Sequence, residues 1–393
     1  MIGKFSTFYV GHVDWENIGI EGKPVDGRRY SNEHLISAFG QAMVMARSMD
    51  FWGYDTLWLA EHHFQHEGYG CVPNILMLSI HLAHQTERVR FGCAFNIAPN
   101  WHPLRLAEDY AMADILTGGR VTFGVGRGYQ TREVEAFGSP LLDAEANRDL
   151  FEEQVETIMK AFNEESFSHH GKYYNIPPSV PYRGHELKEI TLVPRPTHPV
   201  EVWQPIVSST PRGMDFMAKH GMKGILTWSD EMGEDRLVKY RDANAAQGRE
   251  LELGEGLCIA FSVYLDDSRE KAMRAARPYF EENMKIYAPL HMVTGLTDEQ
   301  IKSLAGPLAA STTDLPTVEE AAKSHVWLCG SPEDVIADLK EFQEKYPGVE
   351  HISVNSAIGT PGTVILEQLE RFATEVMPTF IPPESRGDTP TRP

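Results

Sequence analysis

Hydrophobic residues follow two alternating patterns along the chain. Short runs in which apolar residues are dense, or occupy every second position, predict strands at 4–10, 56–60, 90–97, 121–125, 202–207, 225–228, 257–264 and 351–354. Apolar residues at three-to-four spacing predict helices at 35–49, 74–86, 104–116, 144–162, 211–220, 231–247, 268–284, 333–345 and 363–376. Eight strands alternating with helices predict an α/β fold, the (β/α)8 TIM barrel.

Two segments interrupt this alternation. Residues 163–200 are rich in Pro, Tyr and His, and residues 285–325 are polar and punctuated by Gly and Pro. We expect both to be insertions at the rim of the barrel. Because 381–393 is rich in proline, we predict a disordered tail there and a single barrel domain over 1–380.

Charge and cysteine content narrow the possible partners and compartments. The chain carries 56 acidic and 36 basic residues, a net charge of −20, which argues against nucleic acid or an anionic membrane surface as a partner. The four cysteines are scattered without a CxxC pair, as in a cytoplasmic protein with reduced thiols. No run approaches about 18 apolar residues, so we expect no membrane span.

The motif Glu61-His62-His63-Phe64 directly follows the second predicted strand. In a parallel barrel the active site forms where strands end, and an imidazole there can move a proton near neutral pH. We therefore predict His62 as a catalytic residue. The alternative is that one histidine of the pair only satisfies buried backbone groups.

Metal binding is a second interpretation of this motif, since Glu61, His62, His63 and His66 are potential ligands of zinc or iron. Their spacing is not that of HExxH, and no later His or Asp stands plainly at a strand end to complete a site. We therefore predict no metal ligands.

A glycine-rich turn, Gly124-Val-Gly-Arg-Gly-Tyr129, follows the fourth predicted strand. A dinucleotide fingerprint requires a third glycine where Tyr129 stands, so this turn is not of the Rossmann type. Gly126 would allow a flat ring to approach the backbone, and Arg127 would supply a cation for a phosphate. The alternative is a tight turn that carries a surface arginine.

A third motif, Ser208-Ser209-Thr210-Pro211, ends the fifth predicted strand and precedes a helix. Hydroxyl groups at a helix N-terminus can cap the helix or bind a phosphate, and Pro suits the first helical position. We predict that Ser209 and Thr210 bind a phosphate together with Arg127. Helix capping alone is the alternative.

These motifs, together with the loop from Gly92 to Pro103, resemble in order and spacing the bacterial luciferase-like flavin-dependent monooxygenases. The resemblance implies a (β/α)8 barrel that binds reduced FMN. In that family reduced FMN reacts with O2 to give a flavin C4a-peroxide, which oxygenates a substrate. We therefore expect an FMN-dependent monooxygenase acting on a small or medium organic molecule.

The resemblance also implies roles for individual residues. His62 matches the active-site histidine near the flavin, and Ala94-Phe95 matches a non-proline cis peptide beneath the flavin ring. The expected cofactor-binding residues are Ala94, Phe95, Asn96, Gly126, Arg127, Tyr129, Ser209 and Thr210, of which Arg127, Ser209 and Thr210 match phosphate contacts.

Partners and alternatives follow from the same comparison. No nicotinamide-binding fingerprint is visible, so we expect a separate flavin reductase to supply reduced FMN. The family also implies a homodimer. Three alternatives stay open: a deazaflavin-dependent oxidoreductase on the same barrel, a metal-dependent barrel hydrolase, and a flavin-binding protein without catalysis.

Overall fold

Eight parallel strands close into a barrel in the computed structural model, which describes residues 1–22, 24–230, 232–293, 296–305 and 314–381. Each strand pairs with the next along the chain, and the last pairs with the first through the register Lys4 to His351. The predicted (β/α)8 barrel is therefore confirmed. The strands are β1 Lys4–Tyr9, β2 Thr56–Leu59, β3 Arg90–Cys93, β4 Val121–Gly126, β5 Val202–Pro205, β6 Lys223–Thr227, β7 Leu257–Leu265 and β8 His351–Asn355.

Nine helices of nine or more residues lie in the described part of the chain. Side chains cap several of them; Ser31, for example, accepts a hydrogen bond from the backbone of His34. The predicted helix at 363–376 is shorter than expected, because a π-helical turn, Phe372–Val376, replaces its last part. The helices are α1 Asn32–Trp52, α2 Ile75–Ala83, α3 Pro103–Thr117, α4 Ala144–Asn163, α5 Pro211–Lys219, α6 Gly233–Ala246, α7 Arg269–Tyr287, α8 Pro332–Lys345 and α9 Gly362–Arg371.

Large side chains fill the interior of the barrel. Trp58 on β2 lies opposite Gly92 on β3, where an added Cβ would be 1.9 Å from the indole ring. The Trp58 Nε1 donates to Ser6 Oγ at 3.0 Å, and His351 Nε2 lies 2.9 Å from the same oxygen. These side chains occupy the interior of the barrel. Active sites of parallel barrels lie in the loops at the carboxyl ends of the strands.

The first predicted insertion contains two short hairpins. One pairs His169–His170 with Asn175–Ile176, and the other pairs Pro181–Tyr182 with His185–Glu186. Glu153 on α4 anchors the first hairpin, because its carboxylate accepts hydrogen bonds from three consecutive backbone N–H groups, beginning at Lys172.

The second predicted insertion contains two short helices, Asp298–Ala305 and Val318–Lys323, in its described part. It is followed by a strand that the sequence analysis missed, Trp327–Gly330, which pairs with the second half of β7. Residues 294–295 and 306–313 lie outside the described residues, as does all of the predicted tail except Ile381. No helix among the described residues is both long and apolar enough to cross a membrane.

Candidate active site

His62 lies just beyond β2 and is hydrogen-bonded to Glu133, which lies on a short helix, Thr131–Val134, after β4. The His62 Nδ1 is 3.0 Å from Glu133 Oε1, and the two side chains are only 4% and 2% exposed. Gly70 makes room for the imidazole, because an added Cβ there would lie 2.6 Å from the ring. Sequence analysis missed Glu133, since nothing in its local sequence pairs it with a histidine 71 positions earlier.

The Glu133 carboxylate also accepts hydrogen bonds from the His63 N–H at 3.0 Å and from Gln65 Nε2 at 2.6 Å. Burial alone would raise the pKa of Glu133, but these hydrogen bonds and the His62 imidazole outweigh it and lower the pKa. An ionised Glu133 favours the tautomer in which His62 Nδ1 carries a proton. The His62 Nε2 is then the nitrogen that can accept a proton.

The neighbouring His63 belongs to a different pair. Its Nε2 lies 3.0 Å from Glu61 Oε1, and Glu61 also accepts hydrogen bonds from Trp101 Nε1 and from the Ile97 N–H. Burial raises the pKa of Glu61, and these hydrogen bonds oppose the shift. Glu61 therefore holds the loop after β3 against the loop after β2.

The potential metal ligands of this motif are separated in the structure. His62 faces Glu133, His63 faces Glu61, and His66 lies 3.6 Å from Glu67. Within the described ranges, no three side chains of His, Cys, Asp or Glu are arranged to hold a metal ion. Each histidine of the motif faces its own carboxylate instead.

Three tyrosine hydroxyls form a chain beside His62. The Tyr129 and Tyr69 hydroxyls are hydrogen-bonded, and Tyr69 donates to the Tyr287 hydroxyl at 3.1 Å. The His62 ring centroid lies 4.8 Å from that of Tyr69 and 5.9 Å from that of Tyr129. Burial raises the pKa of all three phenols, so they remain protonated near neutral pH. Tyr129, predicted from its position in the glycine-rich turn, therefore lies against His62.

The backbone after β3 offers a flat surface beside the glycine-rich turn. The peptide bond between Ala94 and Phe95 is cis, as the resemblance implies. An added Cβ at Gly126 would lie 3.3 Å from Phe95 Cβ, so the two loops approach each other there. Asn96 donates from Nδ2 to the Gly124 carbonyl at 2.9 Å, whereas its buried Oδ1 has no partner among the described residues. This Oδ1 is an unused hydrogen-bond acceptor.

Arg127 is half-buried and is held by α4, where Asn147 Oδ1 accepts from its Nη1 at 3.3 Å. Burial lowers the pKa of Arg127, and the positive charges of Arg148 and Arg212 lower it further, against an opposing effect of Glu152. Arg148 is itself paired with Glu152 at 3.5 Å, and Arg212 with Asp149 and Glu152. Sequence analysis missed Arg148, because a single arginine on an amphipathic helix carries no signal of a binding role.

Thr210 stands at the N-cap position of α5, with Pro211 first in the helix, but its side chain makes no capping hydrogen bond. The alternative interpretation, in which Thr210 serves only as a helix cap, therefore lacks the side-chain hydrogen bond that it requires. A Cβ added at Gly213 would lie 3.1 Å from Thr210 Oγ1 and 3.7 Å from Arg148 Nη1, so these two groups face each other across the first turn of α5. A hydroxyl, a guanidinium and a helix N-terminus together are suited to an anion.

Ser209 is placed differently from Thr210. Its hydroxyl donates to Asp235 Oδ2 at 2.8 Å and accepts from Lys239 Nζ at 3.2 Å, and all three side chains are exposed or partly exposed. Ser209 is thus bound to α6 in this structure. Of the three predicted phosphate contacts, Arg127 and Thr210 lie next to Arg148, whereas Ser209 is engaged elsewhere.

Comparison with known proteins identifies the family. A family model described as luciferase-like monooxygenase matches residues 23–348. The oxygenase component of flavin-dependent trigonelline monooxygenase from Acinetobacter baylyi is 25% identical over 355 residues, covering 87% of this chain and 90% of that protein. An F420-dependent glucose-6-phosphate dehydrogenase from Amycolatopsis mediterranei is 24% identical over 335 residues, covering 83% and 90%.

Two further matches cover very different shares of this chain. An uncharacterised protein of Sinorhizobium fredii, y4vJ, is 31% identical over 170 residues, which cover 43% of this chain and 44% of that protein. The oxygenating constituent of 3,6-diketocamphane monooxygenase from Pseudomonas putida, solved with FMN, superimposes with a TM-score of 0.73 at 20% identity. That superposition covers 98% of this chain and 100% of the other, and it supports the barrel fold.

Proposed function

This chain belongs to the luciferase-like monooxygenase family, and we propose that it is the oxygenase of a two-component system that uses reduced FMN and O2 to oxygenate an organic molecule. One observation carries the proposal: a single loop after β4 connects an anion-binding region to the His62–Glu133 pair. Arg127 in this loop donates to Asn147, the residue before Arg148 on α4, and Tyr129, two residues later, packs against His62.

The described residues fit FMN at both of its ends. The phosphate would be held by Arg127, Arg148 and the N-terminus of α5, where Thr210 has a hydroxyl that the helix does not use. The ring system would lie against the backbone of Phe95 and Gly126, with Asn96 Oδ1 as a hydrogen-bond acceptor.

Reduced FMN, when bound, supplies the electrons that activate O2. His62 is proposed as the proton carrier: Glu133 holds its Nδ1 proton and thereby keeps Nε2 free to accept and return a proton. Glu133 is a positioning residue because it acts through His62. His62, Glu133 and Tyr69 are all buried, and shielding of this region from solvent would limit the loss of reducing equivalents as hydrogen peroxide.

A separate flavin reductase is the proposed partner. The turn after β4 has Tyr129 where a dinucleotide fingerprint would need glycine, so this turn is not suited to a nicotinamide cofactor. The relative from Acinetobacter baylyi is named as an oxygenase component, which supports a system in which flavin reduction and oxygenation are carried out by two proteins.

A second copy of the chain is the other proposed partner. Helices α2 and α3 pack on each other and expose large apolar side chains, including Met77, Met112 and Leu116, which are 69%, 48% and 50% exposed. Apolar side chains at neighbouring positions of adjacent helices are typical of a surface that another protein covers. We propose that α2 and α3 form a homodimer interface.

The proposal is tested by anaerobic titration of the purified protein with reduced FMN and, in parallel, with reduced F420. The FMN complex is then mixed with O2, and O2 consumption is compared with the return of oxidised-flavin absorbance. We expect reduced FMN to bind and O2 to disappear before oxidised FMN accumulates. If reduced F420 binds, reduced FMN does not, and no reaction with O2 follows, the result would instead support the deazaflavin alternative, which the Amycolatopsis relative favours.

A further inference from the structure

A cavity of about 430 Å³ lies beside the His62–Glu133 pair. It is lined by parts of five segments: residues 25–29, 65–69, 130–132, 285–290 and 304–305. Its volume is that of a pocket for a small organic molecule.

Two residues connect the cavity to the candidate active site. Tyr69 lines the cavity, and its ring centroid is 4.8 Å from that of His62. Gln130 also lines it, and accepts a hydrogen bond from Gln65, which in turn donates to Glu133. The cavity is therefore one side chain away from His62.

The charge of the cavity lining is opposite to that of the whole chain. Among the side chains that the structure describes, Arg29, Arg132 and Lys285 line it together with one carboxylate, Glu67, although the chain carries a net charge of −20. Arg132 is paired with Glu67, and Lys285 is paired with Glu282 at 2.9 Å. Arg29, by contrast, makes no ion pair with any side chain that the structure describes. A cation that lines a cavity without a counter-ion favours an anionic ligand.

Gln130 supplies an independent indication of a ligand. Its side chain is only 6% exposed, and its Oε1 accepts from Gln65 Nε2 at 2.8 Å, which fixes the orientation of the amide. The Gln130 Nε2 has the Tyr129 hydroxyl beside it and no other acceptor within the described part of the chain. Because an amide NH2 has two protons to donate, an acceptor from a ligand would stabilise this buried arrangement.

Apolar side chains line one side of the cavity. Ile286, Leu290 and Leu304 line it on the side of α7 and the helix Asp298–Ala305, and the Tyr69 ring closes it toward His62. A ligand that satisfies all of these groups has an acceptor-only anionic head and an apolar body.

We propose that this cavity binds the organic substrate and that the substrate is a small carboxylate, with its carboxylate at Arg29 and Gln130 and its apolar body against Ile286 and Leu304. This inference rests on the proposed function, because it places the reacting molecule next to His62. It adds the chemical class of the substrate to that proposal.

The test is isothermal titration calorimetry of the FMN-loaded protein with three probes of similar size: benzoate, benzyl alcohol and benzylammonium. Benzoate is expected to bind at least about tenfold more tightly than the other two, as for one charge-assisted hydrogen bond. Its affinity should fall as salt is raised, because Arg29 is exposed.

Variants then locate the site. R29Q is expected to raise the Kd for benzoate about tenfold, and Q130L to raise it by a similar factor, while neither changes the Kd for benzyl alcohol. The control is R105Q, which removes an exposed arginine on α3 that pairs with acidic side chains and should leave benzoate binding unchanged. Thermal unfolding checks that each variant is folded.

The outcomes separate this inference from the proposed function. Equal binding of benzoate and benzyl alcohol, or a benzoate Kd that R29Q and Q130L leave unchanged, would overturn the inference. If reduced FMN still bound and reacted with O2 in that case, the proposed function would stand. Failure of the protein to bind reduced FMN would overturn the proposed function itself, whatever the result with benzoate.

Discussion

His62 and Glu133 are 71 positions apart in the sequence, yet His62 Nδ1 and Glu133 Oε1 are 3.0 Å apart in the structure. The two residues meet because β2, β3 and β4 are adjacent strands of the barrel, and the loops after neighbouring parallel strands lie at the same edge. The same carboxylate accepts from the His63 N–H and from Gln65. Glu133 thus determines both the orientation of the imidazole and which ring nitrogen carries the proton.

Removal of the His62 imidazole should separate flavin binding from oxygenation. H62A is expected to bind FMN within about twofold of the wild type, because the proposed phosphate contacts lie on other segments. Its yield of hydrogen peroxide per reduced FMN should rise by on the order of tenfold or more, as for loss of a general acid–base group. The measurement is peroxide against product in single-turnover mixing with O2.

An exposed histidine offers the control for this experiment. His84 lies at the end of α2, and H84A should behave as the wild type. Unchanged coupling of product to oxygen in H62A would remove His62 from the proposed mechanism.

The Glu133 carboxylate should make the free energy of unfolding depend on pH in the acidic range. Its pKa is lowered in the folded protein, so its contribution is complete above the unfolded-state pKa of about 4.3 and is lost as pH falls through the folded-state value. The wild type should therefore be more stable than E133Q at pH 7, with the gap narrowing by at most about 1.4 kcal/mol per pH unit below pH ~4.3. Urea unfolding at a series of pH values measures this gap.

The matched control for acid sensitivity is the exposed carboxylate of Glu165. We expect the free energy of unfolding of E165Q to follow that of the wild type over the same pH range, because an exposed carboxylate contributes little to stability. A gap between wild type and E133Q that widens as pH falls would contradict the assignment of Glu133 as a stabilised anion.

The anion-binding region should discriminate FMN from riboflavin, which lacks the phosphate. R127A and R148A are each expected to weaken FMN binding by about 1–3 kcal/mol, since each removes a charge-assisted contact. Riboflavin binding should change little in either variant. Fluorescence titration with the two flavins provides the comparison, and equal weakening for both would show that these arginines act on the fold rather than on the phosphate.

The exposed apolar side chains of α2 and α3 should determine the oligomeric state. M112D and L116D place a charge on the proposed homodimer surface, and burial of an unpaired carboxylate is costly. We expect a dimeric wild type and monomeric variants by light scattering coupled to size-exclusion chromatography. The exposed Val180, which is held to the hairpin of Pro181–Tyr182 and His185–Glu186, provides a control as V180D, which should leave the dimer intact. A monomeric wild type would refute the homodimer.

Much of the fold followed from local patterns. All eight predicted barrel strands are present, because each is a short apolar run whose periodicity is visible without knowledge of its neighbours. The sequence analysis missed the strand Trp327–Gly330, which lies directly after the second predicted insertion, outside the barrel, and pairs with the end of β7.

The sequence by itself determined the barrel and placed His62, Gly126, Arg127 and Thr210 at the ends of strands, because hydrophobic period and strand-end position are properties of consecutive residues. Ala94 and Phe95 were selected by the family resemblance. Only the tertiary structure decided that Glu133 is the partner of His62, that Arg148 faces Thr210, and that Ser209 is bound to α6. It also placed Gln130 and Arg29 in one cavity. These relationships depend on which loops the closed barrel brings side by side, and contacts between distant segments leave no period in the sequence.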